Sequence, residues 1–372
     1  MKTRGAIIQK APGRYEVAEL DLDEPRQGEI MVKMAASGLC HTDDHIATGD
    51  FSLGIYPVCG GHEGAGTVVR VGPGTVGWDE GDRVVFSFLP ACGKCRWCGR
   101  GMQNLCDRGA GAFTGARFTD PGSYRMSLDG QPVGQAFGIS TFSEYTTVDV
   151  DNAIKVSADA PLQSLCLLGC GVGTGWGSAV NSAGLYPGDT VIVMGTGGVG
   201  INAVQGARHV GAANIIAVDP VEFKRVSALQ FGATHAVADI DEAAELARTF
   251  TSGQGADAAI VTVGVTTPAH VADAFAAIRK AGTVVVTGVG DPTARSLPIS
   301  LLELTVFQKR LQGSLFGASS PTVDIPWLID LYSRGMLKLD ELITTRYRLD
   351  QVAQAYDDLH AGKNIRGVVV YD

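Results

Sequence analysis

Four cysteines crowd into one short stretch of this chain. They follow the pattern C-x2-C-x2-C-x7-C and are Cys92, Cys95, Cys98 and Cys106. Four thiolates on one loop can close a tetrahedral shell around zinc and leave no open coordination position, which is typical of a structural site. Two disulfides, unpaired thiols or a redox C-x-x-C motif are the alternatives, but the N-terminus shows no export signal and the context is not thioredoxin-like. We therefore predict a structural zinc on the loop 92–106.

A second set of possible metal ligands is dispersed along the chain. Cys40, His62 and Cys170 together make two thiolates and one imidazole. This set is known from catalytic zinc sites, where the fourth position is left for substrate. So wide a spacing proves nothing by itself, because a single buried cysteine or histidine is usually a core residue. We interpret the remaining cysteines, Cys59 and Cys166, as inert core residues.

A glycine-rich turn predicts a dinucleotide site. The apolar run 191–193 is typical of a buried parallel strand, and Gly195, Gly197 and Gly200 follow it with G-x-G-x-x-G spacing. Such glycines permit a tight turn, close approach of the backbone to a pyrophosphate and close packing of helix on strand. The helix-compatible segment 201–210 comes next, and its N-terminus would offer free N–H groups and a positive dipole end to phosphates.

An acidic residue lies at the expected distance beyond this turn. A second predicted strand, 215–218, ends in Asp219, where an acid would hold the adenosine ribose. A carboxylate at that place also repels a 2′-phosphate. The order of strand, glycine turn, helix, strand and acid therefore favours NAD over NADP.

The elements that position these residues fall into two kinds. Residues 1–90 are β-rich with frequent Gly, Pro and Asp, which predicts antiparallel meanders or a barrel. From about residue 171, strands alternate with helical stretches, which is typical of a parallel, doubly wound sheet. The further strands predicted for that sheet are 236–238, 258–262, 283–287 and 312–316.

The C-terminal tail does not extend the six-strand pattern. It contains two helical segments, 325–333 and 349–360, and a last strand, 367–370. We therefore expect the tail to return to the first domain. The predicted organisation is a β-rich catalytic domain, a nucleotide-binding domain and a returning segment, at residues 1–170, 171–316 and 317–372.

Composition limits the partners of the chain. The 372 residues are 45% hydrophobic and 19% charged, with a net charge of −9, so we expect no nucleic acid or anionic membrane as partner. No apolar stretch approaches the ~18 residues of a membrane span. Eight cysteines without an export signal favour reduced thiols, and hence a cytoplasmic protein.

From end to end, the chain resembles the zinc-dependent medium-chain alcohol dehydrogenases. The segments 38–43 and 61–66, the four-cysteine loop and the turn 195–200 occur in the order and spacing of that family. The resemblance implies the medium-chain dehydrogenase/reductase architecture, with a GroES-like β-rich catalytic domain and a Rossmann domain. Within the family, the segments 202–206, 218–225 and 362–367 are most similar to the actinobacterial nicotinoprotein, or N,N-dimethyl-4-nitrosoaniline-dependent, alcohol dehydrogenases.

The resemblance also implies roles for individual residues. Cys40, His62 and Cys170 correspond to the catalytic zinc ligands, so that zinc would be bound twice per chain. Two acids would support these ligands: Asp43 would orient His62, and Glu63 would lie behind the metal. Two further residues would move the substrate proton. Thr42 would lie at the substrate oxygen, and His45 at the end of a relay through the cofactor ribose.

Cofactor and substrate contacts follow from the same resemblance. The implied NAD contacts are His41, Thr174, Gly195, Gly197, Gly198, Val199, Gly200, Asp219, Lys224, Val289 and Arg366. Among them, His41 and Arg366 would contact the pyrophosphate, Asp219 and Lys224 the ribose, and Thr174 would lie near the nicotinamide. The implied substrate-pocket residues are Phe51, Phe88 and Phe137, although three of thirteen phenylalanines could equally be core.

Two departures from the family pattern concern the cofactor site. His41 replaces the arginine that many relatives place at the pyrophosphate, so the tightness of cofactor binding stays open. Gly173 stands where the nicotinoprotein branch is expected to have proline, which predicts a looser local backbone.

The activity implied is oxidation of alcohols to aldehydes, and the reverse, by hydride transfer to NAD. Zinc would lower the pKa of the alcohol oxygen. The retained NAD(H) would be recycled by a second substrate or an electron acceptor. We expect the protein to be a homo-oligomer, dimeric or tetrameric. Three alternatives remain: an alcohol dehydrogenase with dissociable NAD, a thiol-dependent formaldehyde dehydrogenase, against whose glutathione branch His45 argues, and a non-catalytic zinc-stabilised scaffold. A scaffold would need one zinc per chain and the enzyme two.

Overall fold

The computed structural model describes residues 1–290 and 293–372, and the chain divides between two units. The first unit comprises Met1–Cys170 and Ser320–Asp372, and the second comprises Gly171–Ser319. The nucleotide-binding segment is therefore inserted, along the chain, into the unit that carries both cysteine sets. Among the described residues, no helix has the length and apolar character needed to cross a bilayer.

The first unit is built mainly of strands. In chain order its N-terminal part contains β1 (Lys2–Ile8), β2 (Glu16–Leu22), β3 (Glu29–Gly38), α1 (His41–Thr48), β4 (Val58–Cys59), β5 (Glu63–Val71), β6 (Arg83–Phe86), β7 (Met126–Leu128), β8 (Gln131–Gln135), β9 (Tyr145–Asp149), β10 (Ala153–Val156) and α2 (Leu162–Leu165). The strands β1, β2, β7, β8 and β4 close a small barrel. Ile7, Leu20, Met31 and Val133 are fully buried in its core.

The second unit is an alternation of strands and helices. Its elements are α3 (Gly171–Gly177), β11 (Thr190–Met194), α4 (Gly200–His209), β12 (Asn214–Val218), α5 (Glu222–Phe231), β13 (His235–Val237), α6 (Ile240–Phe250), β14 (Ala256–Val261), α7 (Pro268–Ala277), β15 (Ile278–Val286), α8 (Leu301–Val306) and β16 (Arg310–Gly313). The six strands form one sheet in the order β13-β12-β11-β14-β15-β16, with every pair parallel.

Alternate residues of β11 enter different apolar layers. Ile192 and Met194 belong to one buried cluster, and Val191 and Val193 to another. A strand that is covered on both sides must be apolar throughout, which is why the run has no polar alternation. The doubly wound parallel sheet expected from the sequence is confirmed.

The tail completes the first unit. It contains α9 (Pro321–Ser333), β17 (Ile343–Tyr347), α10 (Val352–His360) and β18 (Arg366–Val370). A seven-stranded sheet runs in the order β10-β6-β5-β3-β18-β17, with β9 also pairing with β3. Thus β18 lies directly beside the long strand that leads to Cys40.

The sixth strand of the nucleotide-binding sheet differs from the prediction. The sequence predicts 312–316, but the strand is Arg310–Gly313 and a 3-10 turn, Leu315–Ala318, follows it. Phe316 and Gly317 have left-handed φ values of 52° and 64°, which extended backbone cannot accommodate. The apolar pair Leu315 and Phe316 therefore belongs to a turn.

A buried charge network anchors the start of β3. Glu29 pairs with Arg117 and with Arg125, whose Nε lies 2.8 Å from its Oε1, and accepts the Arg26 N–H at 2.8 Å. Both arginines are 1% exposed. Burial alone would raise the pKa of Glu29, but the two guanidinium groups and the Arg26 N–H hold it below its ordinary value. Glu29 is therefore ionised in the interior.

Candidate active site

The dispersed ligand set comes together in the first unit. One ligand atom from each of Cys40, His62, Glu63 and Cys170 lies within 4.8 Å of the others. Cys40 is the N-cap residue of α1, His62 and Glu63 lie at the start of β5, and Cys170 follows α2. His62 Nε2 is buried and has no hydrogen-bond partner among the described residues. Soft sulfur donors and an unpartnered imidazole nitrogen fit zinc.

A carboxylate behind His62 orients its ring. Asp43 Oδ2 lies 2.8 Å from His62 Nδ1, and Asp43 Oδ1 accepts the Gly61 N–H at 2.9 Å. Asp43 is fully buried, so the aspartate cannot turn to solvent. A proton held on Nδ1 leaves the Nε2 lone pair for a metal.

The two thiols of this set differ in acidity. A hydrogen bond from Cys170, with further help from His62 and Arg366, holds the pKa of Cys40 well below its usual range. The same hydrogen bond, and burial, raise the pKa of Cys170 well above it. Without metal, the pair thus carries one negative charge and one proton. A bound zinc would displace that proton and hold both sulfurs as thiolates.

An arginine from the far end of the chain pairs with Glu63. Arg366, on β18, forms an ion pair with Glu63 and donates from Nη2 to the carbonyl of Leu39 at 3.1 Å. Arg366 is 3% exposed. A Cβ on Gly38 would lie 2.0 Å from Glu63 Oε2, so a larger residue there would have to displace the Glu63 carboxylate. The pairing links β3, β5 and β18 beside the ligand set, and the pyrophosphate contact of Arg366 stays a prediction.

The four-cysteine loop forms a second, closed ligand set. The sulfurs of Cys92, Cys95, Cys98 and Cys106 lie within 4.8 Å of one another, and none forms a disulfide. A tetrahedron with Zn–S bonds of about 2.3 Å has sulfurs about 3.8 Å apart, and Cys92 Sγ and Cys98 Sγ are 4.0 Å apart. Backbone N–H groups of Cys98 and Asp107 lower the pKa of Cys95 to about 6. Burial raises the pKa of Cys98 to about 12 and also raises the pKa of Cys106. The Cys95 thiol is therefore prepared for thiolate ligation, and a bound zinc would displace the protons of Cys98 and Cys106.

An aromatic cluster lies against His62. The ring of Phe137 is 4.9 Å from the imidazole, and Phe88, Phe51 and Phe113 surround it at centroid distances of 5.5, 6.2 and 5.7 Å. The three predicted pocket residues are thus brought together. Phe113 is an additional member that the sequence analysis missed, because its glycine-rich surroundings show no periodicity.

Phe137 is held in a strained backbone conformation. Its φ of 52° is in the left-handed region, although the side chain is large and 1% exposed. Ser140 holds the turn, since its Oγ accepts the Ala136 N–H at 3.0 Å and donates to the Cys59 carbonyl at 2.6 Å. These hydrogen bonds hold the strained turn, which places the Phe137 ring beside His62.

The proposed proton-transfer residues lie on or next to α1. Thr42 Oγ1 is 3.7 Å from Cys40 Sγ. His45 is 7% exposed, and its Nδ1 lies 3.2 Å from Asp50 Oδ2. His41, at the first position of the helix, is exposed. The helix thus carries a hydroxyl close to the ligand set and an imidazole one turn further on.

The glycine turn of the second unit has the shape required of a phosphate site. Gly195 has a φ of 85°, and a Cβ on Gly200 would lie 1.8 Å from the Gly195 carbonyl. A Cβ on Gly197 would meet no atom within 4 Å. The fold itself requires glycine at positions 195 and 200. At Gly197 no protein atom requires it, but a pyrophosphate that approaches the backbone closely needs the free space there.

Asp219 lies at the carboxyl end of β12 beside this turn. Its Oδ2 accepts the Thr196 N–H at 2.9 Å and its Oδ1 accepts the Val221 N–H at 3.0 Å. These bonds fix the carboxylate where an adenosine ribose is expected. Of the other predicted contacts, Lys224 is half-buried on α5 and Val289 is 54% exposed. Thr174 is buried in α3.

Comparison with known proteins agrees with both units. Residues 26–158 match the model of the alcohol dehydrogenase GroES-like domain, and residues 198–334 match that of the zinc-binding dehydrogenase. The chain is 48% identical over 371 residues to the NDMA-dependent alcohol dehydrogenase of Amycolatopsis methanolica, covering 100% of this chain and 99% of that one. It is also 48% identical over 371 residues, and 100% of both chains, to the putative alcohol dehydrogenase D of Mycobacterium tuberculosis.

A solved structure shows the same architecture. The crystal structure of benzyl alcohol dehydrogenase from Acinetobacter calcoaceticus matches with a TM-score of 0.92 and 29% identity over the full length of both chains. The chain belongs to the zinc-dependent medium-chain alcohol dehydrogenases.

Proposed function

We propose that this alcohol dehydrogenase oxidises small alcohols with an apolar substituent and keeps NAD(H) bound between turnovers. The observation that carries the proposal is full-length identity of 48% to an NDMA-dependent alcohol dehydrogenase. A dye-dependent enzyme returns its reduced cofactor to the oxidised form in place, by a second substrate or an electron acceptor. The aromatic cluster of Phe51, Phe88, Phe113 and Phe137 supports the apolar character of the substituent.

Residues of the first unit divide the chemistry between them. Cys40, His62 and Cys170 would hold zinc, which when bound supplies a Lewis acid that lowers the pKa of the alcohol hydroxyl. The phenylalanine cluster excludes water and directs the substituent, so that the hydroxyl faces the ligand set. The hydroxyl of Thr42, 3.7 Å from Cys40 Sγ, would accept the substrate proton at Oγ1, and His45 would carry a proton towards the surface.

Residues of the second unit would hold NAD. The N–H groups at the start of α4 and the free space at Gly197 suit the pyrophosphate, and Asp219 suits a ribose. Thr174, Lys224 and Val289 complete the contacts proposed for the second unit. His41 and Arg366, which belong to the first unit, are also proposed at the pyrophosphate. The bound nicotinamide supplies the hydride acceptor, while the protein supplies orientation and charge.

The test is turnover without added cofactor. Purified protein is desalted exhaustively and mixed with a primary alcohol and a nitrosoaniline dye, and the supernatant of a denatured sample is assayed for NAD(H). We expect about one nucleotide per chain and dye reduction without added NAD. Empty protein that oxidises alcohol only when NAD is supplied would instead identify an alcohol dehydrogenase with dissociable NAD.

We further propose that the chain forms a homo-oligomer through its second unit. The strand β16 is the last in the sheet order, and Leu301, Leu302 and Val306 on the preceding α8 are 61–74% exposed. A sheet edge next to an apolar surface is a common site of self-association. Sedimentation or light scattering checks the assembly, and Leu302→Glu should shift it towards monomer.

A reducing, cytoplasmic environment is also proposed. All eight cysteines are free, and burial raises the pKa of Cys59 to about 12. Cys166 is similarly buried, and its pKa is raised by the same cause. Neither of these two thiols is prepared for reaction, and the other six belong to the metal sets.

A further inference from the structure

We propose that Asp50 is a positioning residue for proton transfer, because it fixes the tautomer of His45 and leaves the inner ring nitrogen as a proton acceptor. The inference deepens the proposed function, on which the role of His45 rests. No part of the sequence pattern singled out Asp50, which follows the C-terminal end of α1.

The two nitrogens of the His45 ring have different surroundings. Nδ1 lies 3.2 Å from Asp50 Oδ2, and the Asp50 side chain is 64% exposed. Nε2 is buried and has no hydrogen-bond partner among the described residues. One edge of the ring therefore meets solvent through a carboxylate, and the other edge is buried.

Asp50 itself is held in place. Thr48 Oγ1 donates to Asp50 Oδ2 at 2.7 Å, and the N–H groups of Gly49 and Phe51 both donate to the His45 carbonyl, at 3.1 and 3.0 Å. Gly49 provides the left-handed turn, with a φ of 91°. Hydrogen bonds from Thr48 and His45 lower the pKa of the Asp50 carboxyl. The turn therefore presents an ionised carboxylate to Nδ1.

Other charged and titratable groups near His45 do not compete for this role. The His41 ring, also on α1, is 6.2 Å away between centroids. Asp44 of the same helix is engaged by His360 of α10 at 2.7 Å. Asp43 faces His62, and the Tyr56 hydroxyl donates to the Ile46 carbonyl at 3.0 Å. Asp43 and Asp44 thus pair with other histidines, and Asp50 is the carboxylate that contacts His45.

The chemistry follows from the two tautomers of imidazole. A carboxylate at Nδ1 favours the Nδ1–H form, in which Nε2 carries a lone pair. When the alcohol O–H bond breaks, Thr42 Oγ1 takes that proton and releases its own along the relay towards His45. There an Nε2–H bond forms, and the resulting imidazolium is held by the Asp50 charge. The imidazolium then loses one proton to water. One proton thus reaches solvent for each alcohol oxidised, and the electron pair leaves as hydride in the established reaction.

The first test observes the tautomer and needs no activity. The ring nitrogens of the seven histidines are followed by NMR in ¹⁵N-labelled protein, and His45 is assigned with the His45→Gln variant. We expect His45 as the Nδ1–H tautomer in the wild type and a shift towards Nε2–H in Asp50→Ala. An Nε2–H form in the wild type, or a tautomer that Asp50→Ala does not change, overturns the proposal.

The second test measures alcohol oxidation between about pH 6 and about pH 9, with saturating NAD added so that cofactor retention does not matter. Asp50→Ala should lower kcat about 10-fold at the acidic end, with KM unchanged, and the deficit should vanish at the alkaline end where hydroxide accepts the proton. Asp50→Glu should restore most of the loss. In the His45→Gln background, Asp50→Ala should have no further effect.

A matched control separates charge from position. Asp350→Ala removes another exposed aspartate, which pairs with Arg348, and should leave the pH profile unchanged. An identical pH profile for Asp50→Ala and wild type, both active, refutes the role of Asp50 while leaving the enzyme assignment intact. A wild-type protein that oxidises no alcohol even with added NAD refutes the proposed function instead. In that case the tautomer measurement still shows whether Asp50 fixes the His45 ring.

Discussion

Gly197→Ala separates cofactor binding from folding more sharply than any other change in the glycine turn. A Cβ at this position meets no atom within 4 Å, and Gly197 has no left-handed φ that would strain alanine. Folding should therefore be unaffected or slightly favoured, by about 0.4–1 kcal/mol, since alanine restricts the unfolded chain. The methyl group would occupy the space in which we expect the pyrophosphate.

The expected loss is that of one charge-assisted hydrogen bond from the turn. Such a bond contributes about 1.5–3 kcal/mol, which corresponds to about 10- to 150-fold in affinity. Thermal denaturation would report folding, and the nucleotide content of denatured, desalted protein would report retention. We expect a melting temperature of the cofactor-free protein equal to that of wild type and a largely empty purified variant.

The companion change, Gly200→Ala, tests the opposite case. Its Cβ would lie 1.8 Å from the Gly195 carbonyl, so the backbone must move and stability must fall. Full nucleotide occupancy in Gly197→Ala would show that the pyrophosphate does not approach this turn. A destabilised Gly197→Ala would show that the free space at Gly197 is misjudged.

Four further changes test the metal sites, the buried charge network and the aromatic cluster. Cys98→Ser should remove one zinc and mainly lower stability, whereas Cys170→Ser should remove the other zinc and mainly lower turnover. Metal analysis that finds a single zinc, lost only in Cys98→Ser, contradicts the assignment of a second, catalytic zinc. Glu29→Gln leaves two buried guanidinium groups underpaired and should cost about 3–5 kcal/mol at neutral pH, measured by urea unfolding. The pKa of Glu29 is lower in the folded than in the unfolded protein. Its contribution to the free energy of unfolding is therefore present above the unfolded-state pKa and is lost as the pH falls below about 4.5. The difference in unfolding free energy between Glu29→Gln and wild type must narrow in that acidic range. Phe137→Ala should raise KM for apolar alcohols about 10-fold or more, because about 1.5–3 kcal/mol of apolar burial is lost. An unchanged KM would show that the ring does not line the substrate pocket.

The features that depend on neighbouring residues were predictable from the sequence. The spacing of the four-cysteine loop is local, and a strand buried on both faces must be a continuous apolar run, as 191–193 is. The glycine turn and Asp219 follow in fixed order because they belong to one strand–helix–strand unit. For these the residue types and their spacing contain the physical requirement.

Features made by the tertiary fold were not predictable from the residues. Glu63 and Arg366 are 303 positions apart, and only the insertion of β18 beside β3 brings them together. Phe113 and Asp50 lie in segments without periodicity, and their partners are set by how the chain turns. The ligand set of Cys40, His62 and Cys170 was inferred from the family resemblance, since its spacing carries no geometric information.

The return of the chain to its first unit has a consequence for the order of biosynthesis. The nucleotide-binding segment 171–319 leaves the ribosome before β18 exists, so its sheet can form while the sheet beside Cys40 still lacks a strand. The ion pair between Glu63 and Arg366 can form only after Arg366 has been translated. A chain that is nicked or terminated within α10 or β18 would therefore keep a nucleotide-binding fold but lack a properly assembled metal centre. Assembly of the metal centre therefore depends on residues that are translated after the nucleotide-binding segment.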